Sequence, residues 1–247
     1  MNLNNKLSLS LIILILSIVG FVSCSANRNP ADDRIISYVA DPCSQDLAFY
    51  WRDDSGKIIR SIQNLKTYAE TKDKKLIFAM NGGMFDSLYT PQGLYIEDCL
   101  QLIPLDTASG SGNFYMKPNG VFYITTENKA AVCKTENFEN GGQVKYATQS
   151  GPMLLTGGQI HPQFKEGSSN VHIRNGVGVL PDGKVLFAIS VTKVNLYDFA
   201  AYFRSQGCTD ALYLDGFVSR MYLPEKNRMQ IDGKFGVIIA VTEDIKK

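Results

Sequence analysis

Three strand-like runs in this chain end in a polar residue followed by glycine. Residues 75–80 lead into Asn81-Gly82-Gly83, residues 145–149 into Ser150-Gly151-Pro152, and residues 211–214 into Asp215-Gly216. A side chain at a strand end is held rigidly at the rim of a core, and the adjoining glycine lets backbone amides approach a ligand. His172 and Arg174 stand two residues apart in a fourth stretch, which in a strand puts them on one face. Brought together, these groups would supply a carboxylate, hydrogen-bonding side chains, uncovered amides and a cation. That set suits a ligand carrying hydroxyls and an anion, such as a sugar phosphate, since guanidinium grips phosphate oxygens bidentately and amides near glycine complete the anion pocket. The competing reading of Asp215-Gly216 is a hairpin turn whose aspartate bonds local amides.

The elements that must position these residues follow from periodicity. Residues 35–40 and 47–52 have strand composition, and Ile62, Leu65 and Ala69 at helical spacing predict a short helix over 61–71. Hairpins are expected from 93–97 with 101–105, from 121–126 with 129–134, and from 177–180 with 184–191 across Pro181-Asp182-Gly183. Leu196, Phe199, Ala200 and Phe203 share one face of a helix over 195–206, with Asn195 as its cap and Gly207 at its end. Strands at 153–156 and 235–241 complete an α+β chain, a single domain built around a large mixed, mainly antiparallel β-sheet with a few helices.

Residues 1–10 carry one cation, Lys6, and residues 11–22 are continuously apolar or small, the layout of a secretory signal peptide too short to span a membrane comfortably. The segment ends Phe21-Val22-Ser23-Cys24-Ser25, which resembles the lipobox of bacterial lipoproteins. We therefore expect a leader over 1–23, a lipidated Cys24 with a polar tether over 24–33, and a folded domain over 34–247. The chain would be anchored in the cell envelope through lipid alone, facing the periplasm or the cell surface.

The whole sequence carries a formal charge of +1, and Lys6 is the only charged residue in the leader, so the mature chain is neutral. A nucleic-acid partner is not expected, because such binding needs a cationic face. Cys43, Cys99, Cys133 and Cys208 are even in number in a compartment that permits disulfides, yet a chain this long does not require them. Their spacing and the presence of only two histidines argue against structural zinc.

In order along the chain, NGGMF at 81–85, PQGLYIED at 91–98, NFYMKPNGVFYI at 113–124, QSGPMLL at 149–155, HIRNGVGV at 172–179 and YLDGFVSRMYLP at 213–224 resemble the successive blocks of the phosphodiester glycosidase family. The resemblance runs from about Leu76 to the carboxyl terminus. It departs after Asp215-Gly216, where Phe217-Val218 replaces further glycines before Ser219, so sugar preference does not carry over.

The resemblance implies a hydrolase that cleaves a sugar-1-phosphodiester of the envelope without a cofactor. Water attacks the anomeric carbon through an oxocarbenium-like transition state, and a phosphomonoester leaves. Asp215 is then the catalytic carboxylate, as base or nucleophile, with Glu97 or Asp86 as a second acid. Arg174, helped by His172 and Lys117, would hold the phosphodiester. Asn81, Gly82, Ser150, Gly151, Gly216 and Ser219 would bind hydroxyls or phosphate oxygens. Two alternatives stand beside this: an envelope lipoprotein that binds glycan phosphodiesters without chemistry, and a divalent-cation phosphodiesterase with Asp86, Glu97 and Asp215 as oxygen ligands.

Overall fold

The structure, a computed structural model, describes residues 32–245 apart from the side chain of Phe217. The expected leader and Cys24 lie outside the described residues. Every strand pairing within it is antiparallel.

The strands form three sheets where the sequence suggested one. The first has the order Ile35–Ala40, Val185–Ser190, Asn175–Val179, Ala211–Tyr213, Met153–Thr156, Gln159–Ile160. The second runs Arg228–Met229, Met221–Leu223, Lys74–Asn81, Ile238–Asp244, Asp46–Tyr50, and the third Leu100–Ile103, Tyr95–Glu97, Val144–Ser150, Gly120–Thr125, Ala130–Lys134. All three contribute to one central core: Phe187 and Val177 from the first, Phe49, Phe78 and Ile239 from the second, Phe122, Tyr95 and Tyr146 from the third.

Two-residue alternation explains why several strands read as unbroken apolar runs. Val185, Phe187 and Ile189 enter the central core, whereas Leu186 and Ala188 face α2 (Leu196–Ser205), which packs Phe199 and Phe203 on that outer surface. The second sheet is covered by α1 (Ile62–Thr71), whose Ile62 and Leu65 meet Leu76, Ala79, Ile238 and Ala240. Ten-residue helices are marginal alone, so buried side chains at roughly 1.5–3 kcal/mol each outweigh the cap contribution of about 1 kcal/mol. The caps are present nonetheless: Ser61 accepts from the Asn64 amide and Asn195 from that of Asp198.

The four described cysteines are free thiols, and burial pushes Cys133 up to about 11 and Cys208 up to about 12. One local expectation changes. Residues 172–174 form no continuous strand: His172 makes an isolated antiparallel bridge with Val194, the Arg174 amide donates to the Ser190 hydroxyl (2.9 Å), and the strand begins only at Asn175.

Candidate functional site

The three polar strand ends meet. The Asp215 amide donates to the Gly82 carbonyl (3.3 Å), and the Asn81 side-chain amide donates to the Asp215 carbonyl (2.9 Å). The Tyr213 amide donates to the Pro152 carbonyl (3.0 Å), which joins the Ser150-Gly151-Pro152 end to the same place. Asn175 completes the junction: its carbonyl accepts from the Leu214 amide (3.1 Å), and its side chain donates to the Asn81 carbonyl (3.0 Å). The acid thus sits where all three sheets touch, its backbone held from two sides and its side chain partly exposed.

Past Asp215 the chain makes a short 3-10 turn over Gly216–Val218. Ser219 closes it, with its buried hydroxyl 3.1 Å from the Gly216 carbonyl and 3.2 Å from Asn175 Oδ1. Gly216 is required by space: a Cβ there would lie 1.6 Å from the Tyr213 hydroxyl oxygen. Gly151 is equally confined, since its Cβ would meet the Phe114 carbonyl at 2.7 Å.

Arg174 is 3% exposed. Its Nη1 donates to the Tyr213 hydroxyl (3.0 Å), Nη2 to both oxygens of Asn170 (3.1 Å each), and Nε to the Val194 carbonyl (3.3 Å). Four such bonds leave one of the five guanidinium N–H groups for anything else. The residue is therefore a fixed buried charge more than an open fork. Beside it, a cleft of about 140 Å³ lies between Met116, Phe164, Lys165, Asn170, Leu196 and Tyr197.

Other expected site residues are placed differently. The Asn81 side chain is occupied by backbone, its Oδ1 taking the Arg220 amide (3.0 Å), and the Gly82 amide is bonded to the Val237 carbonyl (2.8 Å). These two groups build the turn instead of facing outward. Ser150 differs from them: its Oγ is buried and has no hydrogen-bond partner among the described residues. Lys117 is exposed with Nζ on the Thr107 carbonyl (3.0 Å), and it lines a separate cleft with Thr107, Asn119, Lys134 and Glu136. His172 is exposed, its backbone exchanging bonds with Val194.

Neither proposed second acid joins Asp215. Asp86 is exposed and accepts from the amides of Leu88 and Thr90, a turn role. Glu97 pairs along the strand at the level beyond Ile96 and Ala147, roughly 13 Å down the ladder from Ser150 at about 3.3 Å per residue. Its Oε2 accepts from the Tyr95 hydroxyl (2.6 Å) beside Trp51 and Asp98. Asp86, Glu97 and Asp215 are thus not one ligand set, and no group of three His, Cys, Asp or Glu side chains suited to a metal occurs among the described residues.

Burial pushes Glu97 up to about 7, with the neighbouring Asp98 charge adding to the effect and the Tyr95 hydroxyl opposing it. Below the unfolded value near 4.5 both states are protonated and there is no penalty. As pH rises from there toward 7 the unfolded chain ionises first, so folding stability falls, by up to about 3 kcal/mol. Glu97→Gln keeps an acceptor for Tyr95 and removes the charge. Thermal melts should show it above wild type at pH 8 and level with it at pH 4; equal melting temperatures throughout would contradict this account.

Sequence reasoning missed Tyr213 and Asn175. The available signal was position: Tyr213 lies two residues before Asp215 and so shares its side of the chain, and Asn175 is polar within a buried strand.

The sequence profile of a family described as "Phosphodiester glycosidase" matches residues 74–241. The uncharacterized protein YigE of Escherichia coli (strain K12) is 34% identical over 221 residues, covering 88% of this chain and 86% of the relative. Among solved structures, the catalytic domain of zebrafish N-acetylglucosamine-1-phosphodiester alpha-N-acetylglucosaminidase, auto-inhibited by its pro-peptide, aligns with a TM-score of 0.59 at 15% identity, over 87% of this chain and 86% of that one. A hypothetical protein from Synechocystis aligns with a TM-score of 0.50 at 12% identity, over 84% of this chain and 59% of that one. At these identities the structural likeness is one of fold.

Proposed function

The chain belongs to the phosphodiester glycosidase family, and on that premise we propose that it hydrolyses a sugar-1-phosphodiester in the bacterial cell envelope, anchored by lipid at Cys24. The observation that carries this reading is the meeting of three strand ends at Asp215, with the buried Arg174 guanidinium bonded to the Tyr213 hydroxyl two residues before the acid.

In this reading Asp215 acts on the anomeric centre as base or nucleophile, stabilising the positive charge that develops on the ring. A single carboxylate is sufficient because the departing phosphomonoester needs little protonation, which agrees with Asp86 and Glu97 lying elsewhere. Arg174 supplies a positive field close to the departing phosphate without the bidentate grip first expected of it. Ser150 is the better candidate for a ligand hydrogen bond than Asn81, since an unpaired buried hydroxyl costs about 1–3 kcal/mol. The cleft by Asn170 would receive the group attached to the phosphate.

The test is hydrolysis of an activated sugar-1-phosphodiester by detergent extracts of the envelope and by the soluble fraction of cells producing the protein. Equal amounts of free sugar and phosphomonoester are expected, from the envelope extract. Binding without turnover across a broad panel of sugar phosphodiesters would instead establish a binding lipoprotein, and activity confined to the soluble fraction would remove the anchor.

A further inference from the structure

Arg174 lies close to Asp215 in the fold but is 3% exposed and nearly saturated with neutral acceptors. The register that pairs Gly176 with Tyr213 continues through the Leu214 amide on the Asn175 carbonyl and sets Arg174 opposite Asp215, and the side chain packed on the guanidinium is Tyr213. That ring is 2% exposed, with the Arg174 Cζ 5.4 Å from its centroid and Nη1 3.0 Å from its hydroxyl. Guanidinium can only donate, so the phenol oxygen accepts and keeps its own hydrogen for another partner. The Gly216 N–H faces the same oxygen, which directs the phenol hydrogen to a third side. Among the described residues, the charged groups acting on the phenol are Arg174 and Asp215. Tyr213 and Asp215 are two residues apart along a run whose backbone stays bonded, through Leu214 to Asn175 and through Asp215 to Gly82, and so lie on one side of it.

We propose that Tyr213 is the positioning residue for Asp215: its hydroxyl, polarised by Arg174, donates a hydrogen bond to the Asp215 carboxylate and so keeps it ionised and aimed at the reacting centre. This rests on Asp215 being the reacting carboxylate. Burial raises the phenol from its ordinary value and the Asp215 charge raises it too, while Arg174 opposes both, so the hydroxyl stays protonated and able to donate. No atom is transferred from Tyr213. It acts through the acid beside it.

The experiment measures the pH dependence of sugar-1-phosphodiester hydrolysis for wild type, Tyr213→Phe, and protein carrying 3-fluorotyrosine at position 213. Carbon-13 NMR titration of the Asp215 carboxyl gives the same readout without turnover. Tyr213→Phe should lower kcat about 10–100-fold with KM within about threefold, and raise the pH of the acid limb by about one unit. The fluorinated ring, a more acidic donor of nearly the same shape, should move that limb the opposite way. A role in packing alone would reduce activity and leave the limb in place. An acid limb and a carboxyl titration that do not move in the fluorotyrosine protein would overturn the proposal, even if Tyr213→Phe did not fold. If Asp215→Asn retains the wild-type rate, the reading of the site fails first; if it is inactive while the titration stays fixed in both Tyr213 variants, only this inference fails.

Discussion

Asp215→Asn is expected to lower kcat for an activated sugar-1-phosphodiester by about a thousandfold or more, while ligand affinity changes by less than about threefold. Asparagine has the same shape but neither attacks a carbon nor takes a proton from water, and it offers no full negative charge to an oxocarbenium-like centre. The fold should tolerate it, because the contacts that build the turn come from the Asp215 main chain: its amide on Gly82 and its carbonyl under Asn81. Loss of turnover with binding retained is the pattern of a group that matters in the transition state. Steady-state kinetics with isothermal titration decide it, and a rate within tenfold of wild type would take Asp215 out of the mechanism.

Much of the fold was legible because local chemistry and tertiary packing agree. Asn195 reads as a cap and caps, and the strand over Ile35–Ala40 has the bounds its composition suggests. The division into three sheets was not legible, since it depends on which distant strands pair. Residues in the Val185–Ser190 strand are buried on both faces, so apolarity says nothing of which neighbour each face meets. At the site, the recurring polar-plus-glycine endings did indicate that three strand ends belong together. What each group does there was hidden: Asn81 and Gly82 have the residue types of a ligand site but are occupied by the turn. Tyr213 has the type of a core strand residue but carries the link to Arg174.

That difference between building the turn and facing a ligand can be measured as stability. Asn81 is 1% exposed, accepts from the Arg220 amide at 3.0 Å and donates to the Asp215 carbonyl at 2.9 Å. Asn81→Ala leaves one buried donor and one buried acceptor without partners, at about 1–3 kcal/mol each. A total of about 2–6 kcal/mol corresponds, for a domain of this size, to a fall in Tm of roughly 5–20 °C. Asn81→Asp keeps the acceptor for Arg220 but replaces the donor with a second acceptor facing the Asp215 carbonyl, so it should not restore stability. Ser150→Ala is the contrast, because the Ser150 hydroxyl is buried without a partner and its removal breaks no hydrogen bond among the described residues. It should leave Tm unchanged or slightly raised while weakening sugar-phosphodiester binding. Melts of the three variants that fall together would mean that Asn81 and Ser150 share one role, and the separation of scaffold from ligand contact drawn between them would be lost.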